Sequence, residues 1–271
     1  MKESMFLDGE PLKQKLPLRS LFYGEGLFET FRWPGSPPVF LEKHIDRIKR
    51  GSEFLNIPFL GEQNMKNAVE DAVNKSGVKD AYVKLCILCA GPLKFYQRAD
   101  EGRVLVVVRE YEPPKEYVRA HVVPSKRISS SPLSRIKSIN YLENVLARRE
   151  AERMGYDEAI FLNERGEVAE GSSTNIFWVK RGVLHTPALE CGLLPGITRE
   201  ALISLAPELG LEVKEGKFNL NEILTSQGAF FTNSLIGITS ITEIDKAELT
   251  VDGKLFSRLR NPLFRKLGWI P

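Results

Sequence analysis

A chain of 271 residues, 42% of them hydrophobic, can bury a substantial core as one large domain or two modest ones. Its net charge of +3, with Lys and Arg interleaved among Asp and Glu, excludes a dedicated polyanion-binding surface. No apolar run approaches the ~20 residues of a membrane span, the N-terminal stretch lacks a signal peptide's apolar segment, and three cysteines give no disulfide framework, so a soluble cytoplasmic protein is expected.

Met5 to Asp8 reads as a first strand turning at Gly9-Glu10, and Leu16 to Gly26 as a loop ending in Gly-Glu-Gly. A strand follows at Leu27 to Trp33, then a Pro/Gly turn at 34–38 and a short strand at Val39 to Leu41. Ile45, Ile48 and Leu55 recur on one face of a helix over Leu41 to Asn56. A second helix spans about Gly61 to Ser76, with strands at Ala81 to Ala90 and Arg103 to Arg109. This mixture predicts a small α+β unit over residues 1–112. Consecutive prolines then mark a linker at 113–117, and residues 118–271 form a larger unit.

The larger unit opens with a strand at Val118 to Val123 and is organised around Ile136 to Val179. Lys137 precedes a helix whose apolar stripe is Leu142, Val145 and Leu146, and which stops near Gly155. A hairpin follows, from Ala159–Leu162 through the turn at 163–166 to Glu167–Glu170, and then a strand at Thr174 to Val179. Helices near Thr198–Ala206 and Leu220–Leu224, with strands near Leu211–Gly216, Ala229–Thr232 and Ile238–Ile244, complete it. Cys86 and Cys89 have metal-site spacing, but three apart on a strand they point to opposite faces and read as buried structural cysteines. The histidines are scattered and suggest no metal site.

Taken alone, Lys137 reads as a solvated charge and Glu170 as a strand-end residue. Their setting changes that. The segments FYGEGLFETFR, KSINYLENVLARREA, GYDEAIFLNERGEVAEGSSTNIFWV, LLPGITRE and FFTNSLIGITSI, in that order, resemble the class IV aminotransferase family, the fold-type IV enzymes that use pyridoxal 5'-phosphate. The resemblance covers nearly the whole chain. It implies a small N-terminal α/β part and a larger pseudo-barrel C-terminal part. Lys137 is then the cofactor's Schiff-base lysine and the later proton carrier, and Glu170 faces its pyridine nitrogen. Tyr141 matches the tyrosine on the ring oxygen. Gly196, Ile197 and Thr198 match the helix start that binds phosphate, helped by Arg47 and Ser234, while Asn175 shapes the loop.

The same resemblance places Lys84, Asn233 and Leu235 on the substrate side and gives Thr30 a part in proton transfer. The forms GEGLFET and TNSLIGI favour the aminodeoxychorismate lyase branch over aminotransferases of D-amino acids or branched-chain L-amino acids. One segment departs from the family pattern: after Gly91 the loop reads PLKFYQRADEG, leaving the second anion-binding group open between Lys94 and Arg98, from either subunit. A homodimer is implied by the resemblance.

Overall fold

The computed structural model describes residues 6–7, 10–11 and 16–270. β1 (Phe6–Leu7) and β2 (Glu10–Pro11) pair antiparallel, and Met5, Asp8 and Gly9 of the expected strand and turn lie outside the described residues. Where a loop is expected, α1 (Leu18–Tyr23) forms and closes on Gly24, whose N–H donates to Ser20 O. The helix is anchored by Arg19, fully buried with its guanidinium forked onto Glu25 at 2.7 and 2.6 Å and also donating to carbonyls of Pro92 and Lys94. Those acceptors lie some seventy residues away, so no local pattern announces the helix.

β3 (Gly26–Pro34), β4 (Asp80–Ala90) and β5 (Glu101–Glu110) make an antiparallel sheet in that order. Alternation along the strands sends Leu27, Phe31, Val83, Leu85 and Ile87 into a core with α2 (Leu41–Leu55) and α3 (Glu62–Ser76). It sends Phe28, Thr30, Tyr82 and Lys84 to the other face, with Thr30 directly opposite Lys84. The expected strand at Val39 to Leu41 is a turn instead. Leu41 N–H donates to Pro38 O, and Leu41 is already buried as the first residue of α2.

Nine strands form the second sheet: β6 (Tyr117–Arg127), β7 (Glu158–Asn163), β8 (Val168–Gly171), β9 (Asn175–Lys180), β10 (Val183–Pro187), β11 (Glu212–Gly216), β12 (Gly228–Asn233), β13 (Gly237–Ile244) and β14 (Ala247–Glu248). The order is β11-β10-β9-β12-β13-β6-β7-β8, with β14 on β13. The sheet curls: Ile160, Val168, Trp178, Phe231 and Ile241, from strands far apart in that order, share one core. Its other side packs α5 (Ile197–Leu205) and α7 (Gly253–Lys266) around Phe177, Phe230 and Leu263, while α4 (Leu142–Arg153) packs on β6 and β7, and α6 (Asn221–Leu224) adds Ile223 to the inner core.

Two details differ from expectation. On α4 the buried residues are Ala147 and Ala151, whereas Leu142 and Leu146 are 67% and 55% exposed. Small side chains let the helix lie close to the sheet, and the larger apolar stripe faces outward. α7 is not signalled because Pro262 lies inside it, but Asp252 caps its start by accepting from Lys254 and Leu255 N–H. The cysteines are free and buried, as expected. Among the described residues no helix is long and apolar enough to cross a membrane, and no group of side chains suits a metal ion.

The sheets meet at two seams. Phe28 N–H donates to Lys137 O (2.9 Å) and Ile139 N–H to Gly26 O (3.1 Å), so residues 137–139 form a short antiparallel bridge on the edge of β3. At the other seam, Arg32 N–H donates to Ser234 O (3.2 Å), and its guanidinium, paired with Asp80, stacks over Tyr111 and Trp269. Gly237 sits beneath this second seam at φ +63°, where an added Cβ would stand 2.5 Å from Phe264 and 2.9 Å from Trp269. Gly166, in the hairpin turn at φ +77°, has open space around it. Gly237→Ala is therefore expected to cost about 3 kcal/mol and Gly166→Ala about 1 kcal/mol in urea unfolding. Equal losses would contradict this packing account.

Candidate active site

A cavity of about 430 Å³ opens between the sheets. Its wall carries every residue singled out above for the site: Thr30, Arg47, Lys84, Lys137, Tyr141, Glu170, Gly196, Ile197, Thr198, Asn233, Ser234 and Leu235. Lys94 and Arg98, the two options for a second anion-binding group, are exposed and do not line it.

The bridge to β3 fixes the Lys137 backbone, and its amine lies 4.4 Å from the centre of the Phe28 ring and 5.7 Å from that of Tyr141. Burial, followed by the nearby Arg47 cation, pulls the Lys137 pKa down to about 8, against the opposing pull of Glu29 and Glu170. Baring the neutral amine at pH 7 then costs about 1.4 kcal/mol, against about 4.6 kcal/mol for an ordinary lysine.

Glu170 stands at the end of β8, its carboxylate accepting from Leu194 N–H at 3.0 Å and lying 3.2 Å from Arg127 Nε. Burial pushes its pKa up, with Arg127 as the main opposing charge. Arg127 is itself held over the Phe161 ring at 3.9 Å and bonded to Glu143 at 2.5 Å. Tyr141 stacks edge-on against Phe28 and donates its hydroxyl to Ser172 O at 2.9 Å, a carbonyl that also receives the Asn144 amide. The loop carrying Ser172 hangs on buried Glu158, which accepts from Ser172 N–H at 3.1 Å, from its hydroxyl, and from Ser173 at 3.2 Å.

Arg47, also on the wall, is locked in place. Its guanidinium forks onto Glu29 with two 2.6 Å bonds and donates to Pro195 O at 2.9 Å. Glu29 is wholly buried and also receives His44 Nδ1–H at 2.6 Å. Arg47 and His44 hold the Glu29 pKa down to about 2 despite burial, and burial lowers that of His44, leaving it a neutral donor. The start of α5 faces the same space, its first N–H groups without helical acceptors, and the Thr198 and Ser234 hydroxyls lie 3.2 Å apart beside it. A Cβ on Gly196 would stand 2.0 Å from Asn175 Oδ1, and Asn175 in turn donates to Leu194 O. Asn233 lines the cavity, but its side chain is committed to the turn, accepting from Leu235 and Ile236 N–H and donating to Ser173 O.

Glu29, His44, Arg127 and Glu158 escape a sequence reading. A partial signal exists for Glu29. It alternates with Phe28 and Thr30, so an acid lies on the core side of a strand, and such an acid demands a buried partner.

These residues fit a phosphorylated pyridine aldehyde. A cation, a helix start and paired hydroxyls line the cavity together with a buried carboxylate and a lysine of lowered pKa. Among the described residues the buried Thr232 hydroxyl on the wall has no hydrogen-bond partner. Fold and site thus define a fold-type IV, pyridoxal 5'-phosphate-dependent enzyme. The profile described as Amino-transferase class IV matches residues 26–244, and the chain belongs to that family. The aminodeoxychorismate lyase of Bacillus subtilis (strain 168) is 33% identical over 254 residues, 89% of this chain and 87% of that one. A candidate branched-chain-amino-acid aminotransferase of Methanocaldococcus jannaschii is 34% identical over 246 residues, 89% and 85% of the two chains. The branched-chain aminotransferase of the thermophilic archaeon Thermoproteus uzoniensis, solved with norvaline, superposes with a TM-score of 0.86 at 34% identity, over 98% of this chain and 96% of that one.

The Glu29 cluster has a measurable acid signature. Its folded pKa of about 2 lies below the ordinary 4.5, so its stabilisation is complete above pH 4.5 and lost as pH falls toward 2. That interval corresponds to about 3 kcal/mol. Neutral His44 acts in the same sense, its share fading as pH falls below 6.5. Glu29→Gln is expected to lose about 3 kcal/mol at pH 7, because Arg47 keeps its burial without its partner, and to show a shallower loss between pH 4.5 and 2. Urea unfolding across that range checks this, and parallel curves for the two proteins would contradict it.

Proposed function

We propose that the protein is a 4-amino-4-deoxychorismate lyase, releasing 4-aminobenzoate and pyruvate. The observation that carries this reading is the Thr30–Lys84 cross-strand pair, which faces the same cavity as Lys137. Arg47, the start of α5 and the Thr198 and Ser234 hydroxyls would hold the cofactor's phosphate, Glu170 would face its ring nitrogen and Tyr141 its ring oxygen. The bound cofactor supplies an electron sink for the carbon that bears the substrate amine.

Lys137 takes the proton from that carbon, its lowered pKa making it a base near neutral pH. The ring C–O bond then breaks, the ring becomes aromatic, and the departing enolpyruvate gains a proton at its methylene carbon to become pyruvate. Thr30 relays that proton from its place on the wall, and Lys84 holds a substrate carboxylate. A second reading, an aminotransferase acting on D- or branched-chain L-amino acids, is favoured by the apolar stretch of wall at Ile128, Leu133 and Leu235.

We further propose two domains, residues 1–112 and 118–271, joined at 113–117, and a homodimer in the cytoplasm. Separate hydrophobic cores support the division. Leu105 and Val107, exposed on β5 beside Cys86 and Lys84, offer an apolar face for a second copy.

The lyase reading expects aminodeoxychorismate to give equal amounts of 4-aminobenzoate and pyruvate over many turnovers with no keto acid added. Thr30→Val, which keeps the shape and removes the hydroxyl, should slow that release by roughly tenfold or more while leaving cofactor affinity intact. Turnover that needs a keto acid and yields no 4-aminobenzoate would establish the aminotransferase. Borohydride treatment of the loaded protein should fix the cofactor to the Lys137 peptide, and label on another lysine would overturn that assignment.

A further inference from the structure

Five basic side chains line the cavity, Arg47, Lys84, Lys126, Arg127 and Lys137, against only two carboxylates among the described residues, Glu143 and Glu170. Arg47 is taken by Glu29, and Arg127 by Glu143 and Glu170. Lys137 is the reacting amine. Lys84 lies 4.5 Å from the Phe28 ring centre, and neither it nor Lys126 has an ion-pair partner among the described residues. A phosphate at Arg47 and one substrate carboxylate at Lys84 would still leave a cation over.

Lys126 owes its place on the wall to an irregularity. The pairing of β6 with β7 slips between Val122 and Lys126, then resumes with Lys126 opposite Leu162 and Arg127 opposite Asn163. In a regular strand consecutive residues point to opposite faces, yet Lys126 and Arg127 both line the cavity. Slips of this kind re-aim side chains beside active sites. Lys126 therefore approaches from the nine-stranded sheet while Lys84 approaches from the three-stranded one.

We propose that Lys126 is a specificity-determining residue that binds a second substrate carboxylate, so that the cavity selects dianionic over monoanionic substrates; this rests on the proposed function in giving the first carboxylate to Lys84. Within one chain the residue stands where Lys94 and Arg98, which do not line this cavity, do not reach.

Glutarate and butyrate, which differ by one carboxylate, test it through calorimetry at low salt, where such contacts are least screened. Wild type should hold glutarate about tenfold more tightly, as one charged contact predicts. Lys126→Ala should abolish that preference with butyrate affinity unchanged. Lys126→Arg should keep it, and Lys84→Ala should weaken both ligands. Equal affinities in wild type, or a Lys126→Ala preference equal to wild type, would overturn the proposal. The titrations are run with and without pyridoxal 5'-phosphate, its uptake followed by absorbance. Failed uptake would sink the cofactor site, whereas the glutarate preference reports on Lys126 in either sample.

Discussion

The bond from Phe28 N–H to Lys137 O, 2.9 Å long, is the constraint on which the site depends. It pins the connection between the sheets to the edge of β3, so the lysine cannot move independently of the strand that supplies Phe28 and Thr30 to the same cavity. The companion bond from Ile139 to Gly26 removes the remaining freedom at that point. A reacting amine then needs no ordering at the moment of use, and its closeness to the Phe28 ring keeps it poorly solvated.

Around that fixed amine the charges are arranged in compensated pairs. Glu29 holds Arg47 rigidly, and Arg127 serves Glu170. Each buried ion would be costly alone. Burial lowers the Lys137 pKa and the Arg47 cation adds to it, while the buried carboxylates Glu29 and Glu170 pull against both. The loop between β8 and β9 is similarly borrowed from elsewhere, its hydroxyls and amides gathered by Glu158 at the start of β7.

What a reader of the sequence can recover follows from the range of each interaction. The hairpin at 163–166, the helices α2 and α3 and the strands of the first sheet rest on local periodicity and turn chemistry, and they form as expected. Lys137 and Glu170 are ordinary residues by local criteria, and only the order of several motifs marks them. α1 depends on carbonyls near residue 92, α7 runs through Pro262, and α4 buries two alanines in preference to its larger apolar residues. Glu29 shows itself locally only as an acid on the core side of a strand, with its partners distant on α2, and Lys126 reaches the cavity through a slip in strand pairing that leaves no local pattern.

The central claim is that this fold delivers a lysine of lowered pKa into the cavity before any ligand binds. Competitive acetylation of the cofactor-free protein across pH 6 to 11, read peptide by peptide by mass spectrometry, measures it directly. Lys137 should titrate near the pKa of about 8 that its surroundings impose, apart from the exposed lysines near the ordinary ~10.4. A Lys137 that titrates together with those exposed lysines would contradict the account.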